Sequence, residues 1–240
     1  MKNILTLSLV LLFGCFLFTC GMPTYPYLYP PSLSGSAPKG LGSDNKFEFK
    51  TSDKNNDAFY DGYEVYYKFY PLSTTHASII AESISIDDIN QLLAAGYLKL
   101  YYSNEEFLKP IITIDALDKN DIVVIEIDFS RVRGKTHDSP DISRTSPGAV
   151  VYPDMDDFRR RFHGERSGVV NTYFDKFLER PSDSDFQKDD SDLSKILDGG
   201  GQLPAEAFLV LYAVTYGRED LIYDLYSKPL YLGYIKIETN

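Results

Sequence analysis

Side chains able to do chemistry concentrate in one stretch of the chain, residues 131–192. Arg131, Arg133, Lys135, Arg144, Arg159, Arg160, Arg161 and Arg166 make its first half basic within an acidic protein. Arg159, Arg160 and Arg161 beside His163 form a candidate anion site. Guanidinium groups bind phosphate, sulfate or an acidic glycan through paired N–H donors. The same arginines can instead pair with Asp154, Asp156 and Asp157 across a short helix on a solvated face. The second half is acidic, with Asp183, Asp185, Asp189, Asp190 and Asp192. Asp183 and Asp185 have the opening spacing of a calcium loop. Lys188 stands where such a loop needs glycine, and no closing glutamate follows, so a solvated acidic loop is the better reading and no metal is expected.

Catalytic patterns are hard to find. No two of His76, His137 and His163 have metal-ligand spacing. The chain has no Gly-x-Ser-x-Gly, no phosphate-binding loop and no zincin helix, and no cofactor is expected. Asp87 and Asp88 have a simple role at a helix start, where the helix dipole favours negative charge. A non-catalytic protein is the expectation. A hydrolase built on two facing carboxylates is the alternative.

The chain has 240 residues, a formal net charge of −11 and 43% apolar residues. That length suits one domain, and the apolar content suffices for a core. The negative charge argues against nucleic acid as a partner and against a polybasic membrane sensor. The two cysteines, Cys15 and Cys20, both lie in the first twenty residues, so the folded part needs no disulfide.

Lys2 followed by an apolar run from Ile4 to Phe18 has the form of an export signal, too short for a comfortable membrane span. The run Leu17-Phe18-Thr19-Cys20-Gly21 resembles a bacterial lipoprotein signal. In such proteins cleavage precedes the cysteine, which then carries the lipid. The resemblance implies a signal peptide over 1–19, lipidation at Cys20 and a place in the bacterial cell envelope, on either face of the outer membrane. Cys15 after Gly14 is a rival. Plain secretion or an uncleaved anchor are further alternatives. Bulky Phe18 and Thr19 depart from the strict motif and fit the relaxed signals of spirochaete (treponemal) lipoproteins. Residues 20–45 follow with Pro23, Pro26, Pro30, Pro31 and Pro38 among Gly, Ser and Tyr. They read as an extended tether. Tyr25, Tyr27 and Tyr29 within it could meet a membrane interface, or one could start the first strand.

The elements that must position these residues read as mostly β, in a single domain over 46–240. Lys46–Thr51 alternates polar and apolar residues, and Gly62–Tyr70 puts Tyr63, Val65, Tyr67 and Phe69 on one face. Adjacent tyrosines such as Tyr66 and Tyr67 place one ring on each face, where outward rings are either core or a platform for protein or sugar. Ser85 reads as the cap of a helix carrying Ile86, Ile89, Leu92 and Leu93 and closed by Gly96. Further strands are expected at 97–102, 111–114, 122–129, 207–217 and 226–237.

Leu211–Gly217, a loop, then Ser227-Lys228-Pro229 resembles the last two strands of a fibronectin type III domain. Gly62–Lys68 resembles its third strand. The resemblance implies a fibronectin type III-like (immunoglobulin-like) β-sandwich, here with a short helix and a large insertion over about 130–203. The usual core tryptophan is missing, and Phe47, Phe49 or a tyrosine must fill its space. Arg218-Glu219-Asp220 falls where some such domains carry an adhesion loop, although Glu219 replaces glycine and integrin binding does not carry over. The resemblances together imply a lipid-anchored binding or structural module with a protein or glycan ligand. An accessory subunit of an envelope complex is a further alternative.

Overall fold

The computed structural model describes residues 26–40, 46–55, 59–102, 112–113, 120–126, 150–151, 158–161, 174–176, 192–219 and 223–238. In chain order, the first strands are β1 (Ser32–Leu33), β2 (Lys46–Lys50) and β3 (Tyr60–Pro71). Helices α1 (His76–Ser85) and α2 (Ile89–Ala94) follow. Short strands come next: β4 (Leu98–Lys99), β5 (Tyr101–Tyr102), β6 (Ile112–Thr113), β7 (Ile122–Glu126), β8 (Val150–Val151), β9 (Phe158–Arg161) and β10 (Phe174–Lys176). The chain closes with β11 (Glu206–Glu219), β12 (Tyr223–Tyr226) and β13 (Leu230–Glu238).

The protein is mainly β. The long strand β11 lies antiparallel to β3 on one side and to β12 and β13 on the other. β4 and β6 extend this sheet beyond β3. A second sheet has the order β1-β2-β7-β8, antiparallel except for the β7–β8 pair. A third, small sheet has the order β10-β9-β5. Only Leu100, fully buried, separates β4 from β5, so one stretch of chain passes from the large sheet into the small one.

Period-two patterning explains the layers. Tyr63, Val65, Tyr67 and Phe69 join Leu209, Leu211 and Ala213 on one face of the large sheet. They meet Phe47 and Phe49 of β2 and Val123 and Ile125 of β7, which forms a two-sheet core. Burying each such large side chain contributes about 1.5–3 kcal/mol. The opposite face carries Tyr66, Tyr70, Val210, Tyr212, Val214 and Tyr234 beneath Ile79, Ile86 and Leu92 of the helical region. The large sheet is therefore buried on both faces, and β11 is apolar without alternation for that reason. Tyr66 and Tyr67 do point to opposite faces, but both faces are interior. The outward tyrosines Tyr66, Tyr70 and Tyr212 are core, not a ligand platform.

The expected strands at 97–102 and 226–237 are each two strands, β4 with β5 and β12 with β13, and β12 starts back at Tyr223 in the expected loop. The helical region differs as well. Helix α1 has no counterpart in the sequence reading. The Thr75 hydroxyl accepts from the Ser78 N–H at its start, and only Ile79 of its residues is fully buried. Ser85 ends α1 rather than capping the next helix. Asp88 caps α2 instead, accepting from the Gln91 N–H at 2.8 Å, while Gln91 Oε1 accepts from the Asp87 N–H at 2.7 Å. Gly96, with φ +88°, follows its end as expected.

Residues 26–40, the described part of the expected tether, are not a free linker. Leu28 is buried in the two-sheet core, β1 pairs with β2, and the Tyr234 N–H donates to the Pro38 carbonyl at 3.0 Å. The fold thus begins well before Lys46. The insertion is likewise woven in rather than appended. β8 joins β7, and Leu193 and Ile196 sit in the core.

Candidate functional site

One end of the large sheet collects polar groups. Val214 pairs with Glu64 there, and Tyr216 pairs with Gly62. Glu64 is only 1% exposed. β4 runs alongside β3 with Lys99 opposite Tyr66, so the lysine reaches along the sheet and forms an ion pair with Glu64. The Tyr66 hydroxyl donates to the second Glu64 oxygen at 2.6 Å. A carboxylate removed from water needs such partners on both oxygens.

The polar run continues outward. Lys99 Nζ lies 5.7 Å from the Tyr216 ring centre. The Tyr216 hydroxyl donates to Asp224 at 2.8 Å. Burial pushes the ionisation of this hydroxyl upward, and the Asp224 carboxylate adds to the shift. Arg218 Nε donates to Asp61 at 2.7 Å, a contact that raises the guanidinium further above its ordinary value. This last pair is exposed, with side chains 41% and 31% accessible. Positive and negative groups thus alternate from a dry interior to a wet rim. Such an arrangement fixes strands β3, β4, β11 and β12 to one another, and only its rim is open to a partner.

Arg218 and Glu219 were expected in a loop, but they lie in β11, paired with Asp224 and Tyr223. Backbone pairing with β12 extends the strand through them, so they are not loop residues. Asp220 lies outside the described residues. So do Cys15, Cys20, His163, His137 and the acidic run 183–190.

Arg159, Arg160 and Arg161 form part of strand β9, not of a helix. Arg161 is paired with Phe174, Arg160 with Asp175, and Arg159 with both Lys176 and Tyr101. The short helix expected here is therefore replaced by a strand, and Asp154, Asp156 and Asp157 lie outside the described residues.

His76 lies beside Tyr234, with Nδ1 2.5 Å from its hydroxyl. Among the described residues no group of three His, Cys, Asp or Glu could hold a metal ion. Among them too, no helix is long and apolar enough to cross a membrane.

The sequence reading missed Glu64 and Lys99. The available signal was a lone acid inside the aromatic strand Gly62–Tyr70, since a charge at such a position needs a neighbour of opposite sign.

The same end of the sheet receives the N-terminal segment. The Thr215 hydroxyl donates to the Tyr29 carbonyl at 2.7 Å. Asn55 donates to that carbonyl as well and accepts from the Tyr29 N–H. Leu28 lies beside Gly217. Tyr27 is 64% exposed, Tyr29 40% and Tyr223 66%, so three aromatic rings reach solvent around this end.

Comparison of the chain with protein family models, with curated proteins and with solved structures finds no match in any of the three.

Proposed function

We propose that this chain is a lipid-anchored lipoprotein of the bacterial cell envelope whose fibronectin type III-like sandwich serves as a non-catalytic binding or structural module. The observation that carries this reading is the join between export signal and domain. Only seven residues lie between Cys20 and buried Leu28. A lipid on Cys20 would therefore hold a folded domain directly at a membrane.

Strand order supports the sandwich type. In immunoglobulin-like sandwiches the third strand pairs with the sixth and the sixth with the seventh, while the first, second and fifth share the other sheet. Here β3, β11 and the successive strands β12 and β13, each paired with β11, have the first arrangement, and β1, β2 and β7 have the second. Phe47 and Phe49, both fully buried, fill the core where a tryptophan is usual. The insertion of 130–203 then falls between the fifth and sixth strands. Specificity in this fold belongs to loops and rims. The rim of the Glu64–Arg218 run and the inserted segment are the places where a protein or glycan would bind.

The test is mass spectrometry of the mature chain from the membrane fraction. A diacylglycerol-bearing Cys20 at the N-terminus, lost in Cys20→Ser, is the expected result. An unmodified chain released to the medium would overturn the reading. Protease shaving of intact cells then decides which face of the envelope carries the domain.

A further inference from the structure

Lipid at Cys20 says that the domain is near a bilayer but not which surface faces it. The structure orients it. Tyr29 is tied to Thr215 of β11, and Leu28 lies beside Gly217, two residues further along that strand. Traced backward from Tyr29 to Pro26, the described chain therefore runs toward the Glu219 end of β11. Tyr27 lies on this path, and Tyr223 faces Glu219 at the tip of β11. Tyr27 and Tyr29 stack edge to face at 5.0 Å, and Lys54 Nζ sits 5.5 Å from the Tyr29 ring centre. The eight residue steps from Cys20 to Leu28 at full extension span at most about 28 Å. A chain that short, leaving from this end, leaves the domain little freedom to present another.

We propose that this end, with Tyr27, Tyr29, Tyr223 and Lys54, rests on the headgroup layer of the bilayer that carries the lipid. The inference builds on the lipoprotein reading above. Tyrosine suits this layer because its ring is apolar and its hydroxyl stays wet, while a lysine stem can lie along the rings with its ammonium in water. Asp53, Asp61, Glu219 and Asp224 outnumber Lys54 and Arg218 at this end and oppose anionic lipid. The occupant is therefore a zwitterionic interface, bound through rings rather than charge. Leu72, also exposed, follows the far end of β3, about 40 Å away at the rise of a strand. It should stay in water.

The chain contains no tryptophan, so a single substitution makes a lone reporter. The full lipidated chain carrying Tyr27→Trp, Tyr223→Trp or Leu72→Trp is placed in phosphatidylcholine vesicles with bromine on the upper acyl carbons. Emission at positions 27 and 223 should fall about twofold relative to plain vesicles and resist 1 M salt, while position 72 is unchanged. Equal emission in both vesicle types at 27 and 223, from a chain shown by mass to carry lipid, overturns the orientation and leaves the lipoprotein reading intact. Quenching at 72 but not at 223 places the opposite end on the membrane and also overturns it. A chain without lipid at Cys20 overturns both.

Discussion

The Thr215 hydroxyl and the Tyr29 carbonyl are 2.7 Å apart across 186 residues of sequence. This bond joins the segment read as a tether to the central strand of the large sheet. Thr215→Val keeps the shape and removes the donor, leaving Asn55 as the remaining donor to that carbonyl. A loss of about 1 kcal/mol in urea unfolding is expected, with faster proteolysis within residues 26–40 under native conditions.

Gly233 holds the other part of this segment. Its φ is +114°, and an added Cβ would stand 2.6 Å from the Pro38 carbonyl oxygen. Gly233→Ala should combine backbone strain with a clash against backbone, at a cost of about 1–3 kcal/mol or more. Gly199→Ala, with nothing within 4 Å of its added Cβ, is the control and should leave the melting temperature nearly unchanged.

The Glu64–Lys99 pair should behave as a structural device. Lys99→Met leaves a buried carboxylate with Tyr66 but without its cation and should cost about 3–5 kcal/mol. The double variant Glu64→Leu, Lys99→Met removes both charges and should recover most of that loss. Urea denaturation of the two single variants and the double variant measures the coupling. A double variant as weak as the sum of the singles would contradict this account.

Alkaline pH should unfold the protein through its tyrosines. Burial raises the ionisation of Tyr63, Tyr70, Tyr97 and Tyr212 above the ordinary value near 10. Above pH 10 the unfolded chain has lost these protons and the folded chain keeps them. Stability is therefore complete below that value and falls as pH rises beyond it. Beyond the signal of the exposed tyrosines, tyrosinate absorbance should rise in one step with the loss of circular dichroism. Ionisation of all the tyrosines with the fold intact would contradict the burial of this cluster.

Much of this protein was determined by the sequence alone. The strands expected at 46–51, 62–70 and 207–217, which the structure places at 46–50, 60–71 and 206–219, follow from local alternation and from a long β-branched and aromatic run. The split of Tyr66 from Tyr67 follows from the period of an extended chain, and the glycine after α2 follows from helix-end geometry. These are local rules, and local residues suffice to read them.

Tertiary structure decided the rest, because it concerns partners far apart in the chain. The Pro- and Gly-rich stretch before Lys46 has no periodicity to announce that Leu28 is core. Its burial depends on β11, nearly two hundred residues away. Helix α1 buries one isoleucine fully and is secured by packing on the outer face of the large sheet, which no local pattern reveals. Arg159, Arg160 and Arg161 look helical beside nearby acids until β5 and β10 offer their backbone as partners. Glu64 stands out in sequence only as a lone acid in an aromatic strand, with nothing to name its partner. Only the pairing of β4 with β3 brings Lys99 to it and makes a buried charge tolerable.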